Sequence, residues 1–260
     1  MRLYLYIDRR TALHELNPTV KVLAMLCFFL AAFVNERPAL LLPLGAGVMT
    51  LVRWAGAWPN VHRLRVMFVM VFTMTLLIWT LFYPRGEPWL TFGPIQIRTG
   101  AIEFALGMSL KLATVLAVGV LFLSTTKVEE FAYALTRVGV PYKLGFTMTL
   151  AFRLVPVFVE AAFTVVQAQR SRGFNFDEGN PLQRVRRYVP VMVPVFMGAL
   201  RRADGMAMAL EARGFLSQQP RTSFEQYRFG FGDVIALLLT LLVTSVFVAF
   251  WWIGYTRVGM

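Results

Sequence analysis

Long apolar stretches broken by short polar ones dominate the chain. Three of them, residues 64–83, 101–125 and 231–254, are long enough to cross about 30 Å of hydrocarbon as helices of roughly 20 residues. Two shorter runs, 20–34 and 39–52, are separated by Asn35-Glu36-Arg37-Pro38, where proline cannot continue a helix. They read as a tight pair of spans or one re-entrant hairpin, and the pair of spans is the favoured reading. The pattern therefore predicts an all-α integral membrane protein with about five transmembrane helices.

Residues 127–228 behave differently, mixing charge into apolar sequence. Lys127–Leu144 opens with acids and then places Val128, Phe131, Leu135 and Val138 at steps of three and four, the mark of a helix with one covered face. A second helix is predicted over 145–172, interrupted by Pro156, and a third from Pro181 to Arg213, with Pro190 and Pro194 inside. Each internal proline forfeits a backbone hydrogen bond, so these helices should be kinked or broken. Pro181 suits a first helical position. The expected organisation is an N-terminal transmembrane region (1–126), a cytoplasmic module of long, Pro-kinked helices (127–228) and a C-terminal transmembrane helix (229–260).

Composition agrees with a membrane protein: 57% of residues are hydrophobic and 15% charged, against about 25% charged in ordinary soluble domains. Charge then sets orientation. With the N-terminus inside and five spans, the inner segments hold twenty-one of the 26 Lys and Arg, fourteen of them in 127–228. The outer segments hold Arg37, Arg85, Arg98 and Arg257, and Lys111 lies within a span. That imbalance follows the positive-inside rule, with the N-terminus and the 127–228 module cytoplasmic. Trp54, Trp58, Trp79, Tyr83, Trp89, Trp251, Trp252 and Tyr255 fall near the ends of the runs, as interfacial anchors do. The net charge of +12 is accounted for by orientation and anionic lipid, without nucleic acid. Asp8, Glu15 and the arginines before the first apolar run give the wrong layout for a cleaved signal, so this segment is expected to stay on the mature protein.

The stretch Ala168-Gln-Arg-Ser-Arg-Gly-Phe174 returns forty-one positions later as Ala209-Leu-Glu-Ala-Arg-Gly-Phe215. Each copy closes one of the two predicted cytoplasmic helices. Glycine after the last turn, a cation at the negative end of the dipole and a following apolar residue make a common C-terminal cap, which explains either copy alone. Two copies at matching helix ends point further. A guanidinium is a planar fork of five donors suited to carboxylates, and a capped helix end fixes its place, so the pair would present two like plugs to two similar acidic sockets.

On these residues the chain resembles EcfT, the transmembrane T component of energy-coupling factor (ECF) transporters, vitamin and metal importers of prokaryotes. The resemblance rests on the paired Ala-Arg-Gly motif, here Ala212-Arg213-Gly214 and Ser171-Arg172-Gly173, and on Ala12–Lys21, similar to that family's Leu-His-x-Leu-Asp/Asn-Pro-x-x-Lys lead-in. It covers essentially the whole chain; Ser171 departs from the usual alanine. It implies a non-catalytic subunit in the prokaryotic cell membrane. Two ATP-binding-cassette ATPases, of EcfA and EcfA′ type, would receive the Arg172 and Arg213 ends, and their closure would pass to a small substrate-binding membrane subunit, the S component. It implies no cofactor in this chain, ATP being bound by the ATPases.

The residues themselves agree. The P-loop pattern G-x-x-x-x-G-K-[ST] and the zinc pattern H-E-x-x-H are absent, and His14 and His62 lie far apart, His14 reading as a packing residue. Cys27, the single cysteine, sits in an apolar run and also reads as packing. A membrane phosphatidyltransferase reading of Asp204-Gly205 fails on spacing and lacks a carboxylate cluster to hold metal; Asp204 reads as solvated or paired with Arg201. A stand-alone carrier would need ionisable groups at mid-membrane, where the spans offer mainly Lys111 and Glu103. Met192, Met197, Met206, Met208 and Phe196 give the third helix an adaptable apolar surface, or fill gaps in a core.

Overall fold

The computed structural model describes residues 6–9, 11–83, 88–92, 95–98, 100–176, 180–215 and 227–255. Arg2, Arg10, Arg85, Arg221 and Arg257, counted above, lie outside the described residues, as does the side chain of Trp89. The helices are α1 (Ala12–Glu15), α2 (Pro18–Val34), α3 (Pro38–Trp54), α4 (Trp58–Arg63), α5 (Arg65–Phe82), α6 (Ala101–Thr125), α7 (Val128–Val138), α8 (Tyr142–Ser171), α9 (Pro181–Arg187), α10 (Val189–Ala212) and α11 (Phe231–Trp252). The architecture is all-α. One addition is an antiparallel hairpin between α5 and α6, strands β1 (Pro88–Phe92) and β2 (Ile95–Arg98).

Helices α5, α6, α8 and α11 are long and apolar enough to cross a membrane, and α2 and α3 are shorter apolar helices. The three long spans expected from sequence, and the tight pair, are therefore all present as helices. Helix α8, expected among the polar helices, also meets the length and composition of a span.

Two compact units divide the chain, residues 1–140 with 227–260, and residues 141–226. In the first, the core lies among α2, α3, α4 and α6 and is built from small side chains. Val48, Val52, Ala55 and Ala57 meet Ala117 and Val118, while Ala31 and Ala32 meet Leu41 and Leu44. Small residues let helix backbones approach in a medium where apolar side chains gain little by leaving lipid. The closest approach is at Gly107 of α6, where a Cβ would run into the carbonyl oxygen of Glu36 in the α2–α3 turn. Lys111, one turn further along α6, donates to the Phe33 carbonyl at 3.0 Å and so closes the C-terminus of α2. Thr244 of α11 donates to the carbonyl of Cys27 at 3.3 Å. Tyr83 is buried and lies 4.7 Å from the Phe104 ring. It is a core residue, not the interfacial anchor that its place at a span end suggested.

Helix α7 belongs to the first unit. Its first turn carries Glu130, which pairs with Lys21 at 3.1 Å, and Gly139 at φ +117° ends it. His14 sits between Thr11, whose hydroxyl is 2.7 Å from Nδ1, and the edge of Tyr6. The packing role holds.

Helices α8, α9 and α10 form the second unit. Pro156 is contained within a continuous α8, and Pro194 within α10. The predicted third helix is in fact two, broken at Tyr188 ahead of Pro190. Proline has no N–H to donate to the carbonyl four residues back, and here the chain restarts with Pro190 in the first turn of α10, where no donor is missed.

Candidate functional site

Both copies of the repeated motif end their helices with the same turn. In the first, Arg172 is the C-cap of α8 and Gly173 follows at φ +85°. Gly173 N–H donates to the Arg170 carbonyl at 2.9 Å and Phe174 N–H to the Gln169 carbonyl at 3.0 Å. In the second, Arg213 is the C-cap of α10 and Gly214 follows at φ +72°. Gly214 N–H donates to the Glu211 carbonyl and Phe215 N–H to the Leu210 carbonyl, both at 2.9 Å. This double bond pattern is the Schellman motif, which needs a left-handed residue that only glycine adopts cheaply. The sequence placed Arg172 and Arg213 as last helical residues; they stand one step later, at the caps.

The phenylalanines fix these ends to the body of the unit. Phe174 packs on Phe176 at 4.9 Å, and Phe176, fully buried, packs on Tyr188 at 5.0 Å. Arg187 donates to the Asn175 carbonyl at 2.6 Å, adding a polar tie at the same place. At the other end, Phe215 lies 4.6 Å from Phe146 and 6.4 Å from Tyr142. The end of α8 thus meets the start of α10, and the end of α10 meets the start of α8. The two helices run antiparallel.

Antiparallel packing puts the arginines at opposite ends of the pair. Helix α8 has 30 residues and α10 has 24, so at 1.5 Å per residue they are about 45 and 36 Å long, and Arg172 and Arg213 stand some tens of ångströms apart. Ser171, Arg172, Gly173, Ala212, Arg213 and Gly214 are all exposed. Among the described residues neither guanidinium has a hydrogen bond or ion pair. The Ser171 hydroxyl donates back to the Gln167 carbonyl at 3.2 Å. It satisfies itself within the helix and leaves the cap geometry the same as the alanine copy. Asp204 is exposed and has no ion pair with Arg201, so of its two sequence readings the solvated one holds.

Between these ends α10 presents Met192, Val193, Phe196 and Met197, each more than 45% exposed. These groups face outward and are not filling a core. In the first unit, a cavity of about 580 Å³ lies among α2, α3, α6 and α11, walled by residues such as Ala24, Phe28, Leu44, Leu51 and Val243. Its one cation, Lys21, is occupied by three hydrogen bonds. Such a wall suits acyl chains or apolar side chains; a polar ligand would require several convergent polar groups. Among the described residues no three His, Cys, Asp or Glu side chains gather as metal ligands would.

Comparison with known proteins agrees with the membrane architecture. Residues 9–224 match the CbiQ family, described as cobalt transport protein. The chain is 29% identical over 259 residues to the energy-coupling factor transporter transmembrane protein EcfT of Limosilactobacillus fermentum, covering 93% of this chain and 94% of the relative. It is 30% identical over 264 residues to the protein of the same name from Thermosediminibacter oceani, covering 95% and 97%. The corresponding protein of Bacillus selenitireducens is 27% identical, with 94% of each chain covered. A multi-span helical membrane chain with a family match over most of its length, and with relatives matched nearly end to end, belongs to the CbiQ cobalt transport protein family, beside the EcfT transmembrane proteins of ECF transporters.

Proposed function

We propose that this chain is the scaffold and energy-coupling subunit of an ATP-driven ECF-type importer. In this reading Arg172 and Arg213 dock into two ABC-type ATPases below the membrane. Helices α8 to α10, the larger part of the 127–228 coupling module, carry ATPase closure to an S component that binds the vitamin or metal. The observation that carries the reading is the pair of exposed guanidiniums, without a hydrogen bond or ion pair among the described residues, held by identical caps at opposite ends of one antiparallel helix pair. One arginine at each of two separated ends suits two like sockets, one on each ATPase.

Orientation belongs to the same proposal. If α8 crossed the bilayer, Arg170 and the nine basic residues from Arg172 to Arg228 would fall outside, where thirteen basic residues would face eleven inside. That reverses the positive-inside balance. Helix α8 is therefore taken to lie along the cytoplasmic face, its apolar side against lipid or the S component, and the N-terminus to be cytoplasmic.

Removing one partner of a desolvated, hydrogen-bonded charge pair costs about 2 kcal/mol or more, roughly thirtyfold in affinity. Arg172→Ala and Arg213→Ala are each expected to weaken ATPase association to this degree, and the double variant to abolish it, with membrane insertion intact. Co-purification of the ATPases with each tagged variant is the test. Wild-type recovery with the double variant would contradict docking.

A further inference from the structure

The N-terminal segment that leads into α2 is tied to both ends of the chain's excursion into the second unit. Lys21 Nζ donates to the His14 carbonyl at 2.7 Å, to the carbonyl of Thr125 at the end of α6 at 3.0 Å, and to Glu130 Oε2 in the first turn of α7 at 3.1 Å. The side chains of Lys21 and Glu130 are 5% and 12% exposed, and theirs is the one ion pair among the described residues. Four residues earlier, Asn17 N–H donates to Asp233 Oδ1 at 2.6 Å, and its side-chain amide donates to the Tyr227 carbonyl at 3.2 Å. The other Asp233 oxygen accepts from Gly230 N–H at 2.8 Å. Tyr133 of α7 lies against Tyr227, ring centroids 4.9 Å apart.

These bonds share a topological meaning. The chain leaves the first unit after α7, at Val140, and returns at Tyr227. Those are the two covalent links to residues 141–226, and Asn17 to Lys21 holds the limb at each. Neither tie is local in sequence: both join residues more than a hundred positions apart, across the faces where α2 packs on α7 and α11. Buried ion pairs add little net stability over apolar packing, and their best-attested use is to fix register. Short charge-assisted bonds also hold a distance, where apolar surfaces slide.

We infer that Lys21–Glu130 and Asn17–Asp233 form a two-sided clamp that makes both limbs move as one with α2, so that displacement of the 141–226 unit reaches the membrane helices. The inference rests on the coupling reading above. These four are positioning residues: they touch neither ATP nor transported substrate.

The test uses the complex purified from native membranes and needs no knowledge of the substrate. Hydrogen exchange is compared between the nucleotide-free complex and the complex trapped with ATP and vanadate. In the wild type, exchange should change in α2 and α3 as well as in 141–226. In Lys21→Met/Glu130→Leu/Asp233→Ala, which removes both ties, the change should be confined to 141–226, with the ATPases retained and ATP still hydrolysed. A wild-type response of α2 and α3 in that variant overturns the clamp, and so does a wild type in which those helices never respond.

Should the variant fail to assemble, the wild-type complex decides. Amides of Asn17 and Gly230 are expected to stay protected in both nucleotide states, and exchange at the rate of exposed amides in either state overturns the clamp. Failure of the docking reading would appear elsewhere, as ATPases retained by Arg172→Ala/Arg213→Ala.

Discussion

At the scale of the residue, the two helix ends are set by glycine geometry. Gly173 and Gly214 hold φ of +85° and +72°, a conformation that costs an L-residue about 1 kcal/mol or more. Alanine at either position should loosen the cap and lower ATPase affinity by several-fold, less than loss of the arginine, as read by co-purification. At Gly107 the constraint is space, since a Cβ would meet the Glu36 carbonyl. Gly107→Ala is expected to cost about 1–3 kcal/mol as an overpacking change, seen as a lower Tm in detergent. Burial, and then the Lys21 ammonium, hold His14 below the ordinary imidazole pKa, against opposing pulls from the Ser124 and Ile7 carbonyls and Glu130. The unfolded chain therefore binds the proton first, near pH 6.5. Stability should fall as pH drops below that value, until the folded imidazole also protonates, and His14→Gln should flatten this slope in a Tm-against-pH series. Sequence made Arg172 and Arg213 legible because a cap is a local pattern. It did not disclose Asp233 and Glu130 as the anchors of Asn17 and Lys21, because bonds spanning 216 and 109 positions leave no local signature.

At the scale of the element, the spans could be read in advance because length and unbroken apolarity are summed properties. Details set by single contacts could not. The break at Tyr188 falls at the first of two prolines in the predicted helix, and nothing local distinguishes Pro190, which opens a helix, from Pro194, which is contained in one. The β1–β2 hairpin rests on pairing between short segments without a strong period. Helix α8 shows the opposite case: its composition would let it cross, and the cytoplasmic placement proposed above rests on the positions of the charges around it. Charge position, rather than mean hydropathy, separates the two readings. The exposed apolar stripe of α10, with Val193 62% and Phe196 63% exposed, calls for an apolar partner. Val193→Glu or Phe196→Glu is expected to release the S component from the purified complex while the ATPases stay bound through the arginines. Retention of the S component at wild-type levels would show that this face is covered by lipid instead.

At the scale of the whole molecule, the division of labour follows from where polarity is kept. The membrane unit is built on small apolar contacts and a buried polar knot at Lys21, and the 141–226 unit holds the exposed Arg172 and Arg213 at its helix ends. Such a chain suits transmission between partners. The measurement that tests this most directly is purification of the tagged protein from its native membrane in mild detergent, followed by mass identification of what accompanies it. The account predicts recovery of ATP-binding-cassette ATPases, two per chain, together with a small membrane protein. A chain that emerges stable, alone and free of ATPase would contradict it.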